Sequence, residues 1–577
     1  MNNETIVWNI APKRENGYKD KKLEKMLLFF ADMNKTHAAA SKLNVLEDYF
    51  KKESEWGSSF DWVQFHSGSL FDHYVPKKYE KAGITIDEKG NELLDQGIAL
   101  CKRHGKKVCH MIGDFAPLDC ILDAYPEMRN LHNGMFWQLL YDMVDGMFKR
   151  FPDLDEMGAY FFESKNVLHC DNFFKPFHYG VDLNEKALAN EKKQKKGPED
   201  LSYPYLSFGD HLRMMLIAMT KACKDNGKAF LLLTHAWFPY QEEILYEALK
   251  DFPSDLPLML EHNYTTGDFN PALPQPKLIG LLPHMNHGLV FCCGMEYHGL
   301  GLVPCCFPEV MEERIRDALA ATPNLKRVTM RPIWDGCSAL DTPNEVNLYS
   351  LMKLADDLDR GTEELWHQWI LQKYGIKEIN NQDLLAAALR NGYKAVQTTF
   401  FEFGIRTNDH SHMQTFNNLE SRLYNYGKAL MKWCPTPENK QTIYDLFVCP
   451  GPKIIRRNRE AHEEAIQMVY QALQKIEGVR DSLEQKDYED LRQRFDVLQT
   501  WITIHGYQYE AYFRLLIQRS KPSCENEQKA EEALTALLDY KERIENGEIS
   551  NSYLFSLWRI DEFVADCRRE LKELENS

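Results

Sequence analysis

Three carboxylates stand where short apolar runs end. Asp268 lies in EHNYTTGDF (261–269), Glu296 in FCCGMEYHG (291–299) and Glu163 in GAYFFES (158–164). A carboxylate beside a buried strand is costly unless it is paired or used. Carboxylates gathered on one point suit glycosidic cleavage, which needs an acid and a base or nucleophile across a sugar ring. The bland alternative is a set of ion-pair partners, for instance of Arg331 or Lys165. Asp268 by itself also reads as an ordinary turn residue in TTGD.

Eight short runs would have to position these residues. They are MLLFFADM (26–33), FDWVQFH (60–66), KKVCHMIGD (106–114), MGAYFFESK (157–165), KAFLLLTHAW (228–237), LPLMLEHN (256–263), GLVFCCGMEY (288–297) and NLKRVTMRPIW (324–334). Near-continuous apolar character, without alternation, predicts strands covered on both faces. Helix-like stretches such as NELLDQGIALCKRHG and PEVMEERIRDALAAT fall between them. The alternation predicts an α/β fold, a (β/α)8 TIM barrel over 23–375. A doubly wound open sheet is the alternative, and no glycine-rich phosphate loop supports it. Residues 1–22 read as an N-terminal extension.

Function in such barrels sits at the C-terminal strand ends. Those ends carry Glu163 and Lys165 after the fourth run, and His235 and Trp237 after the fifth. His262, Asn263 and Asp268 follow the sixth, Glu296, Tyr297 and His298 the seventh, and Arg331, Trp334 and Asp335 the eighth. Glu163, Asp268 and Glu296 are the expected catalytic groups. Lys165, His235, Trp237, His262, Asn263, Tyr297, His298, Arg331 and Trp334 are the expected substrate contacts. The charged stretch EKALANEKKQKKGPED (185–200) reads as a solvated excursion in preference to a lid.

Beyond residue 376 the periodicity is helical, and 376–577 is expected to be an α-helical C-terminal domain. No chemistry motif stands out in it, so packing on the barrel or forming a homodimer is its default role. Histidines near the expected mouth form neither HExxH nor an i, i+4 pair, so no metal is expected. Paired cysteines at 292–293 and 305–306 read as core, and no nucleotide fingerprint implies a cofactor. The formal charge of −17 disfavours nucleic acid. No apolar run reaches the roughly 18 residues of a membrane span. The 14 cysteines lack regular spacing and the N-terminus lacks a basic-then-apolar leader, so a cytoplasmic setting is expected, although a trimmed leader would leave the same sequence.

From about residue 90 to 375 the chain resembles the catalytic barrel of glycoside hydrolase family 67, the α-glucuronidases. The likeness rests on the carboxylate stretch with LPQPKLIG at 260–280, on G-M-E-Y-x-G at 294–299, and on NEVNLYSLMKLADDLDRGTEELWHQWILQKYG at 344–375. The resemblance implies a base pair at Asp268 and Glu296 and a general acid at Glu163, here in F-F-E-S-K where the family has S-E-G. It also implies an Arg after strand five and a Lys before the Asp, which would grip a uronic carboxylate. The corresponding neighbourhoods here, Thr234–His235 and Asn263, carry no permanent cation. The expectation is therefore an exo-acting, inverting glycoside hydrolase, divergent from that family, cleaving a terminal sugar from an oligosaccharide. The alternatives are a retaining enzyme with Glu296 as nucleophile and a non-catalytic carbohydrate-binding barrel.

Overall fold

The computed structural model describes residues 21–32, 39–114, 118–161, 208–234, 239–263, 277–408, 410–549 and 556–575. Glu163, Lys165, His235, Trp237, Asp268 and the 185–200 stretch lie outside them.

The predicted (β/α)8 barrel is present. Eight parallel strands close in sequence order: β1 (Glu24–Asp32), β2 (Trp62–Ser69), β3 (Lys107–Asp114), β4 (Glu156–Phe161), β5 (Ala229–Thr234), β6 (Leu258–His262), β7 (Asn286–Phe291) and β8 (Leu325–Met330). Each is followed by a helix among the described residues, from Ala39–Trp56 after β1 to Glu345–Asp356 after β8. These helices form because apolar residues recur on one face. In Glu88–Arg103, Leu94, Ile98 and Cys101 are buried, and Asp87 caps the start by accepting from Gly90 N.

Side-chain direction follows the register. Glu261 pairs with Gly288, Gly288 with Arg327, and Val290 with Thr329, so these point into the barrel. Met26, Trp62, Cys109, Met111, Tyr160, Leu231, Leu233 and Val290 pack there as one apolar cluster. Below them Arg327 reaches Glu156 at 2.7 Å and Glu24 at 3.1 Å. Gly288 must be glycine, because an added Cβ would lie 2.7 Å from Glu261 Cγ. The opposite faces, with Leu232, Leu260 and Leu289, belong to the larger core under the helices.

The C-terminal region is helical among its described residues. Its longest helix, Gln485–Ser520, buries Trp501, Tyr509 and Tyr512. That helix also packs on the barrel mouth: Arg494 donates to Gly301 O at 2.6 Å. No helix among the described residues is long and apolar enough to cross a membrane.

Candidate active site

Glu296 stands five residues beyond β7, in a run of tight turns. Cys293 and Gly294 take φ of 47° and 78° there. At Gly294 a Cβ would lie 2.7 Å from Cys305 O, so this turn tolerates no side chain. Two buried asparagines brace it. Asn344 Nδ2 donates to Gly294 O while its Oδ1 accepts from Cys305 N, and Asn347 holds Phe307 N and Cys305 O. These are the asparagines of NEVNLY at the start of the last barrel helix.

The Glu296 carboxylate is 3% exposed and doubly held. Arg331 Nη2 lies 2.6 Å from Oε2, and His410 Nδ1 lies 2.8 Å from Oε1. Arg331 also donates to Cys292 Sγ, so one guanidinium joins the ends of β7 and β8. Burial pushes the Glu296 carboxyl up. Arg331, then His410, with Tyr297 donating as well, more than reverse this and hold it down to about 2. A carboxylate so placed is ionised at neutral pH. It can serve as nucleophile, base or electrostatic partner of a developing positive charge, and it cannot serve as a general acid.

Around this pair the rings form a column. The His410 imidazole stacks against Tyr297 at 5.3 Å and against Trp334 at 5.4 Å, nearly parallel to the latter. Arg406 lies 4.1 Å from the Tyr297 ring centre, and Arg331 lies 5.4 Å from that of Trp334. Trp334 is carried on a small hairpin, Ile333–Trp334 against Cys337–Ser338. Asp335 and Gly336, at φ 48° and 79°, make its turn, as an Asp-Gly pair does in a two-residue hairpin.

Of the residues expected from sequence, Glu296, Tyr297, Arg331 and Trp334 come together. Asn263 is buried just beyond the end of β6. His262 and His298 do not join the group. His262 pairs in register with Leu289 and so faces the helix layer, where its Nε2 meets His287 Nδ1 at 3.0 Å and its Nδ1 meets Thr234 at 3.2 Å. His298 turns to the helix Ile379–Phe400, 2.7 Å from Gln397 Nε2 and with its ring tilted against Phe401. Their side chains thus lie apart from the Glu296 group: proximity to a strand end does not decide which way a residue points.

Sequence reading missed His410 and Cys292. His410 lies in RTNDHSHMQT (406–415), the one signal being a polar, non-periodic stretch with two histidines between helical segments. Cys292 was read as core. Among the described residues a possible ion-binding group, Glu363, His367 and Asp383, lies elsewhere, on two helices of the surface. Its atoms are engaged with one another and with Arg390.

No family model and no curated protein matches this chain. Among solved structures, a GH138 enzyme targeting pectin rhamnogalacturonan II aligns with a TM-score of 0.55 at 10% identity, covering 91% of this chain and 62% of that one. A family GH115 4-O-methyl-α-glucuronidase with specificity for decorated arabinogalactans aligns at 0.41 and 11% identity, covering 91% and 59%. A Flavobacterium johnsoniae chitobiase aligns at 0.36 and 11% identity, covering 90% and 75%. The chain thus spans about three fifths of the length of the first two. The first alignment bears on fold alone, and the other two carry no weight at those scores. What the first alignment shares with this chain is its fold, which here is a (β/α)8 barrel followed by helices.

Proposed function

We propose that this chain is a glycoside hydrolase acting at the mouth of its barrel. One observation carries the reading: Glu296, beyond β7, is buried and held ionised by Arg331 and His410 beside a column of rings. Fold alone would not suffice, since barrels host many chemistries. Glu163 is the acid in this reading, and Asp268 the partner of Glu296 on the water side. Kinship with family 67 belongs to the same proposal.

The sugar is read as neutral. Arg331 is engaged by Glu296 and Cys292, and Arg406 by the Tyr297 ring and the Tyr426 hydroxyl. A uronic carboxylate needs charge-assisted partners. The free thiols among the described cysteines agree with a reducing, cytoplasmic setting. The expected partner is an oligosaccharide, with a homodimer through the helical region as the proposed assembly.

The carboxyl held near 2 favours a second mechanistic reading. So weak a base deprotonates water poorly. It suits a nucleophile in a retaining scheme, or leaves the deprotonation to Asp268. Turnover on a panel of nitrophenyl glycosides and neutral oligosaccharides tests the function, and the first-formed anomer, read by NMR, separates inversion from retention. Glu296→Gln is expected to lower kcat by about 10²–10⁴ with KM little changed. A wild-type chain inactive across the panel would leave the carbohydrate-binding reading.

A further inference from the structure

Asn408, His410 and Ser411 belong to the helical region, yet they grip the Glu296 turn from three positions. Ser411 Oγ accepts from Gly299 N and donates to Glu296 O, both at 2.8 Å. Asn408 Nδ2 donates to Tyr297 O at 3.2 Å. Between them His410 brings Nδ1 to Glu296 Oε1 at 2.8 Å, 114 residues away in sequence. His410 and Ser411 both take positive φ, 51° and 69°. L-residues adopt that backbone rarely, and they keep it where surrounding contacts enforce it, often at functional sites. An ionised carboxylate only accepts, so His410 presents an N–H on Nδ1.

We propose that His410 is a positioning residue for the glycosidic reaction, whose Nδ1–H fixes the orientation and charge of Glu296, making the helical region a working part of the active site. The proposal rests on the hydrolase reading. Glu296 faces Arg331 just beyond β8, Cys292 just beyond β7, its neighbour Tyr297, and His410. His410 in turn lies between the Tyr297–Arg406 contact and the Trp334 hairpin. There Asp335 reaches His412 at 3.5 Å. Both rings stacked on His410 would be served as well by a phenylalanine, so packing and donation predict different variants.

The test uses the full chain with His410→Phe, which keeps a ring and removes the donor, and His410→Asn, which keeps a donor. Asparagine also tolerates positive φ. On an aryl glycoside that the wild type cleaves, His410→Phe is expected to lose about tenfold or more in kcat with KM nearly unchanged, and to move the acid limb of kcat/KM up by about one unit. His410→Asn is expected to keep most of kcat and the wild-type limb. A second readout needs no substrate. The depressed Glu296 carboxyl contributes stability above its ordinary value of 4.5 that is lost as pH falls toward about 2. His410→Phe should shrink the stability difference between about pH 6 and about pH 3, and His410→Asn should preserve it. Wild-type kinetics and pH–stability in His410→Phe would overturn the proposal, as would equal damage in both variants. If His410→Phe does not fold, retained activity in His410→Asn supports donation and its loss overturns it. A wild type that cleaves no glycoside, with the stability arm as expected, would sink the hydrolase reading and leave the His410–Glu296 link standing.

Discussion

Arg331 Nη2 lies 2.6 Å from Glu296 Oε2, and both side chains are 3% exposed. The two lie beyond the ends of neighbouring strands, so the pair ties the segment after the seventh strand to the end of the eighth. A buried ion pair adds little net stability, but removing one partner leaves an uncompensated charge.

Arg331→Gln is therefore expected to destabilise the chain by about 3–5 kcal/mol at neutral pH. The pH dependence should also weaken. In the wild type the depressed Glu296 carboxyl adds stability above 4.5 that is lost as pH falls toward about 2. Without Arg331, burial is opposed by His410 and Tyr297 alone, so the carboxyl rises relative to the wild type and the variant loses less stability on acidification. Urea midpoints across a pH series measure this, and a deficit that does not shrink on acidification would contradict it. Arg331→Lys is expected to recover only part, because an ammonium lacks the fork that also reaches Cys292.

Glu261 behaves in the opposite sense. It is fully buried in the barrel interior, and burial, partly offset by Arg327 and Thr329, pushes its carboxyl up to about 7. The native state keeps a proton that the unfolded chain sheds near 4.5, so its contribution falls as pH rises from 4.5 to about 7. Glu261→Gln should flatten that slope and gain relative stability above neutral pH. Thermal midpoints of the two proteins that run parallel from acid to alkaline pH would rule this out.

All eight strands were legible because a strand covered on both faces must be apolar along its whole length, and KAFLLLT or GLVFCC can do little else. The expectation of Glu296 and Arg331 in one site came from that same logic. What the runs do not carry is side-chain phase at their ends. Glu261 and His262 are adjacent, yet one points into the barrel and the other faces the helices. His410 was illegible for a different reason: its partner is 114 residues away, and no local period encodes that contact.

His262 therefore offers a direct test of phase. Its chain runs from Thr234 through His262 and His287 to Leu282 O, each link 2.9–3.2 Å. His262→Leu should cost about 1–3 kcal/mol by stranding those partners, with KM unchanged. Burial lowers both histidines below their ordinary 6.5, so the pair's stability is present above 6.5 and lost as pH falls through it. The variant should lose part of that acid sensitivity. A raised KM in a well-folded variant would put His262 back at the substrate.

The acid is the role that Glu296 cannot fill, since a carboxyl held near 2 has no proton to give at neutral pH. Glu163, at the end of the fourth apolar run, is the proposed donor. A general acid matters in proportion to how badly the departing oxygen needs a proton. A nitrophenolate leaves readily without one, whereas a sugar hydroxyl does not. Glu163→Gln is therefore expected to spare much of the activity on nitrophenyl glycosides while depressing that on natural oligosaccharides by about 10²-fold or more. Glu296→Gln should show no such selectivity in the step it controls, because the nucleophile or base is needed whatever departs. Equal damage by Glu163→Gln on both substrate types would remove it as the acid, and harmlessness on both would move the donor to another residue of the barrel mouth.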